Sequence, residues 1–287
     1  VKNVEKLAEG YGLVEGPVWD TERGLIFSDV LGGGVFALGH DGRVSTVFEH
    51  RRGIGGMVLH EARGLVVSGR NVSFKPFDGG DTVLLLDRDP DNDNVGYNDI
   101  TADTAGRVYA GSLGNSPVFE DGREPVAGAL HLIDLDGTSR EVAEGIGLTN
   151  GLGFAPDGKT LYHSDSRVQT VWCYEVSDDG TLSPKRPFVK TEHGSPDGLC
   201  VAEDGSVWVA LAGGNGVAVF GIDGTQRELV EIPQPMCTSV CFGGDDLRDL
   251  YVVSGSQGGA TNVGAVYRTR VGVAGLPVPP ARVRLPG

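Results

Sequence analysis

NGLGFAPDGKTLYHSD, residues 150–165, carries two short apolar runs around an Asp157-Gly158 turn. Apolar runs of this length on either side of an Asp-Gly pair read as a β-hairpin. The same arrangement recurs along the chain. It appears as EGPVWDTERGLIFSD from Glu15, GGMVLHEARGLVVSG from Gly55 and NDITADTAGRVYAGS from Asn98. It returns as DGLCVAEDGSVWVAL from Asp197 and TSVCFGGDDLRDLYVVS from Thr238. The six starts are 40, 43, 52, 47 and 41 residues apart, the period of a four-stranded propeller blade.

The remainder of each unit supplies the other strands. After Asn150 the pattern predicts strands at 160–164, 171–177 and 187–190. Others are expected at 129–134 and 140–144, and at 217–222 and 227–232. No stretch keeps a 3.6-residue period, so almost no helix is expected. The last unit stops after its third strand, at 265–270. VEKLAEG (residues 4–10) resembles REVAEG (residues 140–145), and each final glycine lies five residues before a unit start. The N-terminal strand is therefore expected to complete the last blade and remove an exposed edge. The reading is all-β: one six-bladed β-propeller domain over residues 1–287, with four antiparallel strands per blade. Trp19-Asp20 occurs in one unit only, so this is not a WD-repeat propeller.

Composition narrows the partners. The chain has 287 residues, with Lys+Arg 24 against Asp+Glu 39, for a net charge of −15. That field repels phosphate backbones, so neither nucleic acid nor an anionic membrane is expected as a partner. The 46 glycines, beside 39% hydrophobic residues, fit short strands and tight turns rather than disorder. No run of about 18 apolar residues occurs, and the first residues lack the apolar core of a signal peptide. Cys173, Cys200, Cys237 and Cys241 form no CxxC pair. Cys237 and Cys241 stand about 13 Å apart along an extended strand, too far for a disulfide. A reducing cytoplasm is the expected compartment.

The first strand of each blade lines a propeller's channel, so equivalent positions form a ring. The first position of the six units reads Glu15, Gly55, Asn98, Asn150, Asp197, Thr238. Buried carboxylates need a counter-charge, and this ring holds no Lys or Arg. A divalent cation satisfies them. The all-oxygen donor set suits Ca²⁺ first, with Mg²⁺, Mn²⁺ or Zn²⁺ as alternatives. Too few protein ligands are present to fill such an ion's shell, which leaves positions for water or a small-molecule substrate. The residues alone leave open a non-catalytic module whose cation only ties the blades together.

Other motifs are weaker. His193, four residues before Asp197, reads as a solvated loop histidine. Asp87, Asp89, Asp91 and Asp93 alternate as in a calcium loop, but Asn92 and Asn98 occupy the positions that an EF-hand gives to Gly and Glu. Asn71-Val-Ser73 fits a glycosylation sequon, which has no meaning without secretion. No GxSxG, HExxH, Walker A or complete GxGxxG run is present.

Glu15-Gly-Pro-Val-Trp-Asp20, Tyr97-Asn98-Asp99, Thr149-Asn-Gly-Leu152, Ser195-Pro-Asp-Gly-Leu199 and Cys241-Phe-Gly-Gly244 with Leu250-Tyr251 together carry a resemblance. The chain resembles the SMP-30/gluconolactonase/regucalcin family of six-bladed propellers over essentially its whole length. The resemblance implies one divalent cation held by Glu15, Asn150 and Asp197, with Asn98 beside it and in contact with substrate. It further implies that Asp197 is the catalytic carboxylate and that the activity is hydrolysis of sugar-acid lactones or related activated esters. The same metal site on another reaction, such as organophosphate hydrolysis, remains a further possibility. One position departs from the family. Members acting on sugar-acid lactones often carry Arg two residues before the Asn of the Asn-Asp pair, and here that residue is Gly96. Arg52 and Arg70 of the second unit are candidates to replace it, or are ordinary exposed arginines.

Overall fold

A computed structural model describes residues 3–49, 51–119, 122, 124–256 and 261–286. Its strands form six four-stranded antiparallel sheets, five of them built from consecutive strands. The first strands of the sheets are Val14–Asp20, Met57–His60, Gly96–Ala102, Thr149–Phe154, Ser195–Val201 and Cys237–Gly243. Each packs against the first strand of the next sheet, and the sixth packs against the first, so the sheets close a ring of six blades. Among the described residues there is no α-helix, only a 3₁₀ turn at Pro90–Asn92. No helix there is long and apolar enough to cross a membrane.

The strands expected from the sequence are present, with ends displaced by a residue or two; the fourth blade, for example, has Thr160–Asp165, Thr170–Glu175 and Arg186–Lys190. Turn chemistry sets the inner hairpins. In the third blade Asp103 accepts hydrogen bonds from the amides of Ala105, Gly106 and Arg107 at 2.9–3.0 Å. Gly106 takes the positive φ of 95° that this turn requires. The core lies between blades. Val217, Val219 and Trp208 of the fifth blade pack against Val240, Val252 and Tyr267 of the sixth. Val14, Leu25 and Phe27 of the first meet Tyr251, Val253 and Val266 of the sixth. Each fully buried side chain of this size contributes roughly 1.5–3 kcal/mol.

Two segments lock the ring. Val4–Tyr11 pairs antiparallel with Gly264–Arg270, which completes the sixth blade as the sequence predicts. Glu5 lies opposite Arg268 and accepts its guanidinium at 2.8 Å. The second lock was not legible in the sequence. After the last strand the chain runs along turns that join first to second strands and, at Leu135, third to fourth. It bridges Ala202 at Gly275, then His60 at Ala281, and Arg284 donates to the Leu135 carbonyl. The fifth and second blades face each other across a six-membered ring, so this segment crosses the channel mouth opposite the ring of first positions. Ala281 and Val283 are buried among second- and third-blade residues.

Without the N-terminal strand, the outer edge of the sixth blade would be open. Deleting residues 1–11 is expected to lower the melting temperature by about 5 °C or more, and the backbone amides of 4–11 are expected to exchange slowly in the intact chain. Free exchange there, with unchanged melting of the truncated chain, would contradict the closure.

Candidate metal and active centre

The ring positions are aimed by β-bulges. Between Glu15 and Val18 the pairing with the second strand slips by one residue, and the same slip occurs between Tyr97 and Ile100, Thr149 and Leu152, and Pro196 and Leu199. Two residues there oppose one: Asn98-Asp99, Asn150-Gly151 and Asp197-Gly198. A bulge of this kind bends the strand and redirects its side chains. The second blade pairs without a slip and carries glycine at the ring position.

Glycines let the inner strands approach. A Cβ on Gly55 would stand 2.0 Å from Asn98 Oδ1, so this glycine makes room for the neighbouring amide. A Cβ on Gly151 would stand 2.3 Å from the Leu199 nitrogen, and one on Gly198 would stand 2.0 Å from Ser239 Oγ. The residue after the ring position is thus glycine in four blades, Ser239 in the sixth and Asp99 in the third.

A hydrogen-bonded chain ties three blades together. Asn98 Nδ2 donates to Asn150 Oδ1 at 2.6 Å and to the Thr149 carbonyl at 2.8 Å. Asn150 Nδ2 donates to Ser166 Oγ at 2.6 Å, and that hydroxyl donates to the Pro196 carbonyl, also at 2.6 Å. The chain therefore ends at the residue preceding Asp197. Thr238, at the sixth position of the ring, donates its hydroxyl to the Val14 carbonyl at 2.5 Å and holds the backbone that presents Glu15. Behind Thr149, the buried His163 ring bonds the threonine hydroxyl at 2.7 Å. Desolvation pushes that imidazole down to about 3, so it stays neutral.

Glu15, Asn150 and Asp197 are nearly buried. Burial raises the carboxyls of Glu15 and Asp197 well above the ordinary range. Repulsion from Asp197 and Asp99 adds to the rise at Glu15, and repulsion from Asp99 adds to that at Asp197. Asp99, which the ring reading missed, is pushed up from 3.8 to about 7, by burial above all. Its signal was available: it is the acid at the second offset, where four of the six units have glycine. Among the described residues no basic side chain acts on any of the three carboxyls, and Asp197 Oδ1 is buried without a hydrogen-bond partner. Among the described residues no three His, Cys, Asp or Glu side chains are already gathered as a metal cluster. Any cation held here must also use amide oxygen. Asn150 Oδ1 keeps a second lone pair beyond the bond from Asn98.

Beside the ring, a cavity of about 470 Å³ is lined by Asn98, Gly55, Gly96, Arg52, Arg70 and Arg88, with Phe119 among its apolar residues. Arg52 and Arg70, the two candidates in the sequence, thus share one wall system with Asn98. A larger cavity, about 1010 Å³, lies along the outer strands of the third and fourth blades and reaches none of the ring residues. His193 is exposed, as are Asp87, Asp89, Asp91 and Asp93. Asn71 Oδ1 is engaged internally by Arg51 and Ser73. All four cysteines are free.

A carboxyl raised in the folded state is protonated there while the unfolded chain is already ionised, so its stabilisation is lost as pH rises through the folded value. Metal-free protein is therefore expected to melt at a lower temperature at pH 8 than at pH 6, because Asp99 titrates near 7. Asp99→Asn is expected to narrow that gap. Equal melting of the metal-free wild type at both pH values, by calorimetry, would contradict the electrostatic account.

Comparison with known proteins gives the chain a family. The profile of the SMP-30/Gluconolactonase/LRE-like region matches residues 13–256, a span that contains all six first strands. A pentonolactonase of Haloferax volcanii is 32% identical over 203 residues, covering 66% of this chain and 67% of that protein. A 6-deoxy-6-sulfogluconolactonase of Pseudomonas putida is 30% identical over 280 residues, covering 93% and 94%. Among solved structures, a luciferin-regenerating enzyme superposes with a TM-score of 0.87 at 25% identity, over 99% of this chain and 100% of that one. A calcium-binding regucalcin of Agrobacterium tumefaciens gives 0.86 at 21% identity over 98% of each chain, a likeness of fold. With the profile covering most of its length, the chain belongs to the SMP-30/gluconolactonase/LRE-like family.

Proposed function

We propose that this protein is a divalent-metal-dependent lactonase, opening the lactone of a small oxygenated acid at the mouth of the channel. The observation that carries the reading is the convergence of Glu15 and Asp197, from different blades, on a dry hub without a counter-charge, with Asp197 Oδ1 unpartnered. The donor set fits a hard cation: carboxylate oxygens of Glu15 and Asp197 and the amide oxygen of Asn150. Relatives that hydrolyse sugar lactones support the reaction class, and a relative described as calcium-binding supports Ca²⁺ as first choice.

When bound, the cation supplies Lewis acidity toward the lactone carbonyl and charge stabilisation for the oxygen that becomes negative. The remaining work belongs to the chain. With a cation held there, the Asp197 carboxyl would be ionised, the form that a general base requires. Asp197 takes a proton from the attacking water as the new carbon–oxygen bond forms. The ring ester bond then breaks, and the proton passes to the departing alkoxide, giving a hydroxy acid. Asn98 lines the cavity next to the hub and orients the substrate, its own amide fixed by Asn150 and the Thr149 carbonyl. The buried surroundings limit bulk water and strengthen these interactions. A reducing compartment such as the cytoplasm belongs to the same reading, supported by the four free cysteines.

Asp197→Asn is expected to retain the fold, by circular dichroism, and to lower kcat on a chromogenic lactone by about 10²–10⁴. Glu15→Gln is expected to raise the cation concentration needed for half activity before it lowers the saturated rate. EDTA is expected to abolish turnover and lower the melting temperature together. A melting shift in protein that turns over no lactone or ester, with cation present, would instead indicate a cation that only ties the blades.

A further inference from the structure

We infer that the cavity beside Asn98 is an anion subsite, selecting lactones that carry a second, negatively charged group away from the reacting carbonyl. The inference rests on the lactonase reading and names its substrate class. Three arginines, Arg52, Arg70 and Arg88, line this cavity, and among the described residues no Asp or Glu does. In a chain with 39 acidic and 24 basic residues, that is the reverse of what its surface composition would place there. Among the described residues none of the three is in an ion pair, whereas Arg23, Arg107, Arg140, Arg268 and Arg270 all are. Arg51, the neighbour of Arg52, is turned away and donates to Asn71 Oδ1 at 3.1 Å.

The backbone explains why the cationic group comes from the second blade. Gly69 and Tyr97 exchange hydrogen bonds, Tyr97 N to Gly69 O at 2.7 Å and Gly69 N to Tyr97 O at 3.1 Å. This bridge carries Arg70 directly against the strand that presents Asn98. A Cβ on Gly96 would stand 2.8 Å from the Gly69 carbonyl oxygen and 3.5 Å from Arg70 Cα. A side chain at position 96 and this close passage of the second blade exclude one another. The guanidinium missing at 96 is thus replaced by Arg70 across the bridge, joined by Arg52 and by Arg88 from the loop before the third blade.

The other lining side chains decide what kind of anion fits. Val95, Leu113 and Phe119 give the cavity an apolar wall, and Asn98 and Ser116 are among its uncharged polar side chains. Guanidinium groups beside such a wall bind carboxylate, sulfonate or phosphate through charge-assisted, often bidentate, hydrogen bonds. The substrate class is therefore a lactone with an anionic substituent.

The test compares γ-valerolactone with 5-oxotetrahydrofuran-2-carboxylate, a neutral and an anionic lactone of one ring size, using cation-loaded protein. The carboxylate is expected to have a kcat/KM about tenfold higher or more. Raising KCl from about 0.05 to about 0.5 M is expected to raise KM for the carboxylate only. The exposed pair Arg52→Ala/Arg70→Ala is expected to lower kcat/KM for the carboxylate about tenfold more than for the neutral lactone. Independently of turnover, calorimetry should show 2-hydroxyglutarate, the ring-opened product, binding about tenfold more weakly to the double variant. Turnover of both lactones without arginine or salt dependence, and unchanged product binding, overturns the subsite and leaves the lactonase reading standing. Arginine-dependent product binding with neither lactone hydrolysed does the opposite.

Discussion

Carboxylates brought together in a dry space repel one another and lose hydration, and each ionised acid left there unpaired costs several kcal/mol. Glu15 and Asp197 are in that position at the hub of this propeller, with the partly buried Asp99 beside them, and among the described residues no basic side chain acts on the three. The surrounding construction serves to hold that arrangement. Bulges in the first, third, fourth and fifth blades turn the relevant side chains, and glycines at 55, 151 and 198 let neighbouring inner strands pack at distances that a Cβ would forbid. The Asn98–Asn150–Ser166 hydrogen bonds fix the polar side of the ring, while the C-terminal segment crosses the opposite mouth.

Two levels of design follow from the architecture. The hub is made from strands whose positions are set by packing between blades. The cavity next to it is made from connections: the end of the second blade, the loop carrying Arg88 and the segment carrying Phe119. Connections tolerate change far better than inner strands. Changes in these connections thus alter the lining of the cavity while the inner strands keep their places.

How much of this was legible in the sequence depends on how local the causes are. Hairpins repeat because apolar runs and Asp-Gly turns are local signals, and six repeats fix the number of blades. The N-terminal closure could be read because VEKLAEG matches a strand elsewhere in the chain. The ring of Glu15, Asn98, Asn150 and Asp197 followed from equal offsets. Asp99 escaped that reading because a bulge places two consecutive residues at the hub, and counting a single offset sees only one. His163 escaped because its role, bonding Thr149 from the second strand, depends on cross-strand register. Arg88 and the C-terminal strap escaped because nothing in their local sequence states which blades they will touch. For Arg52 and Arg70 the sequence offered two readings; both are exposed, and both line the cavity that Asn98 lines.

The most direct measurement of the central claim is anomalous diffraction from crystals grown with Mn²⁺. One peak is expected at the hub, about 2.0–2.6 Å from oxygens of Glu15, Asn150 and Asp197. A hub containing only water at saturating Mn²⁺, with those side chains turned apart or the ion held elsewhere, would contradict it.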